Sequence, residues 1–135
     1  MLRGRAVEVI LAVALLGSAG CGSEDDSLSG VWTGAFKDSL GGLGGGSLTL
    51  RQAGVALEGS WDVVFQTMPG RSKYNNSGSL AGTVDGGSIT LRMTSSQGSC
   101  PYQLHATRSG RKLVGTYSAI DCATPQTGSF DLDRT

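Results

Sequence analysis

The sequence predicts an all-β protein: an eight-stranded antiparallel up-and-down β-barrel that follows an N-terminal lipoprotein signal peptide. Three observations lead to this fold class. Apolar residues alternate with small or polar ones along the chain after residue 27, which is the period of a strand with one buried face. Glycine, 22 of the 135 residues, interrupts every window that could carry a helical apolar stripe. Short and longer connections alternate between the runs, as they do in consecutive hairpins.

The composition excludes several classes of protein. With 11 basic and 11 acidic side chains the formal net charge is zero, which provides no overall field for binding nucleic acid. Hydrophobic residues at 39% and charged residues at 16% differ from the charge-rich, core-poor composition of a disordered chain. The length suits one small domain.

Residues 1–20 have the pattern of a secretory signal peptide. Arg3 and Arg5 precede the apolar octet Val9–Leu16, and small residues follow at positions 17–20. The octet is far shorter than the ~20 residues that span a bilayer. The alternative, a buried N-terminal helix, would lack a polar face for solvent.

The segment Ser18-Ala19-Gly20-Cys21 resembles the bacterial lipobox. The resemblance implies that Cys21 is lipidated and becomes the mature N-terminus, so that the protein is anchored in the bacterial cell envelope. The periplasmic face of the outer membrane is the expected location. Residues 21–27, polar and acidic, then form a flexible tether. The alternative is a secreted protein with a free or paired Cys21.

The cysteine count predicts a disulfide. Three cysteines leave an odd one in an exported protein. If Cys21 carries lipid, Cys100 and Cys122 remain as a pair in an oxidising compartment. A zinc site is the alternative, but the chain has one histidine and no Cys-x-x-Cys, so we expect no metal site.

The barrel domain is predicted at 28–135. Its strands are expected at Leu28–Phe36, Ser47–Gln52, Ala56–Gln66, Gly78–Val84, Ser88–Ser95, Tyr102–Ser109, Lys112–Ala119 and Thr127–Asp133. In four of them Leu-x-Gly is followed two residues later by an aromatic residue or valine. A glycine on the inner face allows a sheet to coil tightly. A two-sheet sandwich is the competing architecture.

The alternation predicts which side chains face inward, and none of them is charged. The inward set is Trp32, Phe36, Leu48, Leu50, Leu57, Trp61, Val63, Phe65, Leu80, Val84, Ile89, Leu91, Met93, Tyr102, Leu104, Leu113, Tyr117, Phe130 and Leu132. The outward set includes Arg51, Glu58, Asp62, Arg92, His105, Asp131 and Asp133. Charges on the outer face are the reverse of the pattern of a transmembrane barrel.

The connections assign the two ends of the barrel. Those after strands two, four and six are short, whereas longer loops are expected at 37–46, 67–77, 96–101 and 120–126. In an up-and-down barrel the long loops lie at one end and both termini at the other. Cys100 and Cys122 both fall in long loops, where a bridge is possible.

The opening strand, with Gly30-Val31-Trp32, resembles that of the calycin group, the lipocalins and avidins. The resemblance implies that Trp32 lies inside the barrel near a closed end and that a small ligand enters at the other end. Gly34 stands where avidins carry a biotin-contacting asparagine, so biotin binding is not expected. The chain is also similar to small bacterial envelope lipoproteins with Gly-rich eight-stranded domains.

The sequence predicts a non-enzymatic protein without a cofactor. His105 is the one histidine and faces outward, and no Gly-x-Ser-x-Gly motif is present. Trp61, Phe65 and Tyr117 on the inner face, with Tyr74 and Tyr102 near the mouth, are expected to line a pocket for a small apolar ligand. Alternatively these rings fill a solid interior. A protein-interaction module, such as an inhibitor of an envelope enzyme, is the second functional hypothesis.

Overall fold

The strands close into one antiparallel barrel in which each strand pairs with its neighbours in the sequence. The computed structural model describes residues 27–67, 74–98, 100–123 and 125–135. The strands are β1 (Gly30–Asp38), β2 (Leu43–Ala53), β3 (Ala56–Thr67), β4 (Tyr74–Asp85), β5 (Ser88–Ser95), β6 (Tyr102–Ser109), β7 (Lys112–Ala119) and β8 (Thr127–Arg134). β1 pairs with β8, from Trp32 opposite Arg134 to Asp38 opposite Gly128, and this closes the sheet. The predicted barrel is confirmed, and no helix occurs in the described ranges.

Two of the predicted long loops are shorter than expected. The prediction of a loop at 37–46 is wrong, because β1 continues to Asp38 and β2 begins at Leu43. The glycines of this segment are strand residues: a Cβ at Gly44 would lie 2.0 Å from the carbonyl oxygen of Val64 on β3. Similarly, β4 begins at Tyr74, within the predicted loop at 67–77. The bounds of β5, β6 and β7 match the prediction.

Glycines on the inner face allow the sheet to coil, as predicted. A Cβ on Gly59 would lie 1.8 Å from the carbonyl oxygen of Thr49 on the neighbouring strand. A Cβ on Gly115 would lie 2.0 Å from that of His105. Since no other residue fits at such a distance, these positions bring adjacent backbones together and curve the barrel wall.

The interior holds the predicted apolar set with few changes. Every predicted inward residue is buried except Val84, which packs against the core and is only partly buried. Leu28 and Ala106 join the core as well. The expectation that no charged residue faces inward is wrong: Asp38 is 7% exposed. Because β1 extends two residues beyond Phe36, Asp38 falls on the same inner face. The predicted outward charges are all exposed.

As predicted, Trp32 and both ends of the barrel domain lie at the end with the short turns, opposite the longer loops. Trp32 is fully buried near the end that carries the short turns, and its Nε1 donates a 2.9 Å hydrogen bond to the carbonyl of Leu28. The guanidinium carbons of Arg134 and Arg108 lie 4.6 and 5.7 Å from the centre of its ring. We call this the closed end; Ser27 and Thr135 lie there.

Cys100 and Cys122 lie at the opposite end, which we call the mouth. Their Cα atoms are 5.8 Å apart, within the range of a disulfide. The signal peptide, the lipidation site Cys21 and the tether up to residue 26 lie outside the described residues. In the ranges that the structure describes, no helix is long and apolar enough to cross a membrane.

Candidate ligand-binding site

Four of the five aromatic residues predicted to bind a ligand meet at the mouth. They surround a cavity of about 30 Å³. Its lining residues are Phe36, Trp61, Val63, Phe65, Asn76, Met93, Tyr102, Tyr117 and Gln126. Tyr74 pairs with Phe65 across β3 and β4, but its side chain lies outside the described part of the structure. The alternation of the strands thus places the expected aromatic side chains together.

The aromatic rings form a continuous wall. Tyr102 stands edge-on to Trp61 and to Tyr117, with ring centres 6.4 and 5.7 Å apart. Phe36 continues the series, 6.3 Å from Tyr117 and 5.6 Å from Phe130. These are favourable distances for aromatic pairs, and edge-on contacts hold each ring in one orientation. The wall provides an apolar surface with fixed shape.

Asp38 is the centre of a polar network at the mouth end of the barrel. Its Oδ2 accepts a 2.6 Å hydrogen bond from the hydroxyl of Tyr117 and a 2.7 Å bond from Nε2 of Gln126. Its Oδ1 accepts from the backbone N–H of Leu40 at 2.9 Å. The hydroxyl of Tyr102 donates to Oε1 of Gln126 at 3.0 Å. Gln126 therefore bridges Asp38 and Tyr102 across the mouth.

Tyr117 is held in its protonated form. Burial, and then the hydrogen bond to Asp38, raise the pKa of its phenol well above the usual value. Gly128, opposite Tyr117 on β8, provides the room for this ring: a Cβ there would lie 2.2 Å from Cζ of Tyr117. At neutral pH the Tyr117 hydroxyl donates a hydrogen bond to the carboxylate, and the raised pKa extends this donation into alkaline solution.

Asn76 forms a second polar position in the cavity wall. It is 4% exposed, and its Oδ1 accepts hydrogen bonds from Oγ of Ser95 at 2.6 Å and from the backbone N–H of Ser77 at 3.0 Å. These bonds fix the amide group against β5. The cavity thus combines an apolar aromatic wall with two polar positions, Asn76 and Gln126.

The size of the cavity limits what it holds as it stands. A volume of about 30 Å³ accommodates roughly one water molecule. Side chains fill the interior between the mouth and Trp32. Most of the barrel therefore has the packed interior that the sequence analysis gave as the alternative to a ligand pocket. Gln126 and Tyr102 both line the cavity and are joined by a hydrogen bond.

The described residues show no arrangement suited to metal binding. In the described ranges no group of three His, Cys, Asp or Glu side chains is placed to hold a metal ion. His105 is exposed on the outer face, as predicted, and faces Thr90 and Thr116 on the neighbouring strands.

Sequence reasoning missed three polar residues of the mouth: Asp38, Asn76 and Gln126. The prediction places Asp38 and Asn76 in loops, although each continues the inward alternation of its strand. Extending the alternation from Phe36 to Asp38, and from Gly78 back to Asn76, would have placed both inside. No sequence pattern indicates Gln126, which precedes β8 and reaches the mouth through the loop that contains Cys122.

The comparisons with known proteins support the fold alone. No protein-family model matches the sequence, and no curated protein matches it significantly. Among solved structures, EF1p2_mFAP2b bound to DFHBI has a TM-score of 0.67 at 14% identity, covering 80% of this chain and 94% of that one. A redesigned β-barrel, b11L5F_LGL, has a TM-score of 0.61 at 18% identity, covering 80% and 91%. A fluorescence-activating β-barrel designed de novo has a TM-score of 0.56 at 19% identity, covering 82% and 96%.

Proposed function

We propose that this protein is a lipid-anchored, non-enzymatic barrel of the bacterial cell envelope that binds a small, mainly apolar ligand at its mouth. The observation that carries the proposal is that four aromatic side chains line the mouth cavity: Trp61, Phe65, Tyr102 and Tyr117. Two structural neighbours of the same fold support it: EF1p2_mFAP2b is bound to DFHBI, and the de novo barrel is a fluorescence-activating one.

The polar network defines how a ligand enters. Gln126 is the movable part, because it reaches Asp38 and Tyr102 through side-chain hydrogen bonds alone. A flat ligand that carries a hydrogen-bond donor replaces the Gln126 amide at Asp38, and its apolar body contacts the aromatic wall. Such a ligand restores the third hydrogen bond of the buried carboxylate, whereas an apolar molecule without a donor leaves only the bonds from Tyr117 and from the Leu40 N–H.

The direction of the chain determines the orientation that the proposed anchor would give the barrel. Ser27 lies at the closed end, opposite Cys100 and Cys122 at the mouth. A lipid on Cys21 would therefore hold the closed end towards the membrane, and the mouth would face away from it. A multiply acylated terminus stays firmly in a bilayer, whereas one acyl chain anchors only marginally.

A second function, binding to another protein, is favoured by a separate observation. Two large apolar side chains are exposed at the mouth: Leu40, 42% exposed, in the turn between β1 and β2, and Leu43, 55% exposed, at the start of β2. In addition, most of the barrel interior is filled with side chains, which leaves little room for a small ligand. An envelope enzyme that docks on this rim would cover both leucines, and truncation of either one would weaken that complex.

Native mass spectrometry of protein purified from its own host tests the proposal. We expect the folded barrel to retain a small organic molecule, and the variant Phe65→Ala to lose it. Leu57→Ala removes a buried side chain at the closed end and is the matched control, since it lowers stability without changing the mouth. Release of a bound protein, with no small molecule in any preparation, would favour the second function.

A further inference from the structure

The buried carboxylate of Asp38 has only neutral partners in the part of the chain that the structure describes. Its three hydrogen bonds come from the hydroxyl of Tyr117, Nε2 of Gln126 and the backbone N–H of Leu40. Lys37 is adjacent in the sequence, but its side chain is exposed on the outer face of β1. Among the described residues, the negative charge of Asp38 is therefore left without a positive charge beside it.

Burial makes this arrangement costly. A carboxylate taken out of water loses its hydration, and neutral hydrogen-bond donors recover only part of that free energy. The carboxylates of Glu58, Asp131 and Asp133 do pair with cations, yet their side chains are more than half exposed, whereas Asp38 is almost fully buried. Of these four acids, Asp38 has most to gain from a cation.

Gln126 marks the place where such a cation fits. Its Nε2 is 2.7 Å from Oδ2 of Asp38, and Oε1 of the same amide accepts a 3.0 Å hydrogen bond from the hydroxyl of Tyr102. Gln126 and Tyr102 both line the mouth cavity, so the position of Nε2 connects the cavity to the carboxylate. An ammonium group at this position donates to Asp38 as the amide does, and it adds a positive charge.

The aromatic rings of the cavity favour the same kind of group. Trp61, Tyr102 and Tyr117 are among the lining residues. The face of an aromatic ring attracts a cation within about 6 Å, and the attraction is larger where water is excluded. An anion is repelled by the negative faces of the rings and by Asp38. A cation with an apolar body therefore matches the mouth better than a neutral or acidic molecule of the same shape.

We propose that the ligand of the mouth is an organic ammonium ion, a primary amine on a flat apolar body, whose nitrogen takes the place of Nε2 of Gln126 and pairs with Asp38. This inference rests on the proposed function and narrows it, because the site selects by charge as well as by shape. A charge-assisted bond to Asp38, in a site from which water is partly excluded, should bind about tenfold more tightly than a neutral one.

Three molecules of similar shape and different charge test the inference. They are 2-naphthylmethylamine, a cation at pH 7, 2-naphthalenemethanol, which is neutral, and 2-naphthoate, an anion. The indole N–H signal of Trp61 in a ¹H–¹⁵N spectrum reports binding, because this ring lines the cavity. We expect the Kd of the amine to be about tenfold below that of the alcohol. The acid should give no saturable shift.

Two variants separate the charge of Asp38 from its hydrogen bonds. Asp38→Asn keeps the size of the side chain and removes the charge, so the Kd values of amine and alcohol should come within about twofold of each other. Asp131→Asn, on the outer face, is the matched control and should retain the tenfold preference. The Trp32 signal at the closed end shows whether each variant is folded. If Asp38→Asn unfolds, the order of the three Kd values in the original protein decides.

The possible outcomes distinguish this inference from the proposed function. Saturable binding of the alcohol, with equal or weaker binding of the amine, would overturn the charge preference and leave a ligand site at the mouth. Tightest binding of 2-naphthoate would do the same. A tenfold preference for the amine that persists in folded Asp38→Asn would show that another group provides the charge. No saturable shift of Trp61 with any of the three molecules would overturn both proposals.

Discussion

The hydroxyl of Tyr117 donates a 2.6 Å hydrogen bond to the carboxylate of Asp38, and both residues are buried at the mouth of the barrel. The bond joins β7 to the end of β1, across the β8 strand that lies between them. Gly128 on β8 makes it possible, because the Tyr117 ring passes over the space where a side chain would stand. The arrangement of the mouth therefore depends on one carboxylate, one phenol and one glycine.

Replacement of Tyr117 by phenylalanine should lower stability by about 1–3 kcal/mol at neutral pH, because Asp38 loses a charge-assisted hydrogen bond. Chemical denaturation at pH 7 measures this loss. The pH dependence should change too. The folded protein holds the phenolic proton at a pH where the unfolded chain, with a pKa near 10, releases it. Above pH 10 the native state binds more protons, so its stability falls, by up to about 1.4 kcal/mol per pH unit from this group.

The difference in stability between the original protein and Tyr117→Phe isolates this contribution from other groups that titrate in alkali. It should be constant from pH 7 to about 9 and shrink above pH 10. A difference that stays constant up to pH 11 would show that the pKa of Tyr117 is not raised by folding.

Gly128→Ala should disturb the mouth without changing the barrel. The added methyl group would lie 2.2 Å from Cζ of Tyr117, so the ring has to move and its bond to Asp38 weakens. Overpacking of this kind costs about 1–3 kcal/mol. Gly45→Ala is the control, since the nearest atom to its Cβ is 3.4 Å away. Thermal unfolding of both variants should show a clear loss for the first and little change for the second.

The pair Cys100 and Cys122 should be oxidised in protein isolated from the envelope. The residues are separated by 22 positions, and closing a loop of this length stabilises a protein by about 3 kcal/mol. Reduction should therefore lower the melting temperature while the barrel remains folded. Titration that finds two free thiols in freshly isolated protein would contradict the assignment.

Cys21→Ser should release the protein from the membrane fraction, because lipidation requires the cysteine thiol. The soluble fraction should then contain a folded barrel with the same circular dichroism spectrum. Continued membrane association of this variant would show that something other than an acyl chain on Cys21 holds the protein there.

Much of the fold could be predicted because the alternation of apolar residues is local information. β5, β6 and β7, each bounded by turn residues, have the predicted ends. The extension of β2 back to Leu43 was missed because Gly44, Gly45 and Gly46 carry no side chain that alternates. Their role emerges only from the neighbouring backbone, since the Cβ of Gly44 would overlap a carbonyl of β3.

The aromatic part of the site was predictable for the same reason, and the polar part was not. Trp61, Tyr102 and Tyr117 are on the inner face in any closed barrel with this alternation. The partner of Asp38 is 79 positions away in the sequence, and no local pattern connects the two residues. The size of the cavity could not be predicted from the sequence either, because it depends on how closely the rings pack.

The central claim, that the mouth is a ligand site, is tested most directly through the two tryptophans, which lie at opposite ends of the barrel. Each indole N–H gives a separate signal in a ¹H–¹⁵N spectrum. Nε1 of Trp32 donates to Leu28 at the closed end, and Nε1 of Trp61 donates to Ser79 near the mouth. Titration with 2-naphthol, a flat aromatic molecule with one donor, should shift the Trp61 signal in a saturable manner and leave that of Trp32 in place. Absence of any saturable shift of Trp61, or an equal shift of both signals, would contradict the claim.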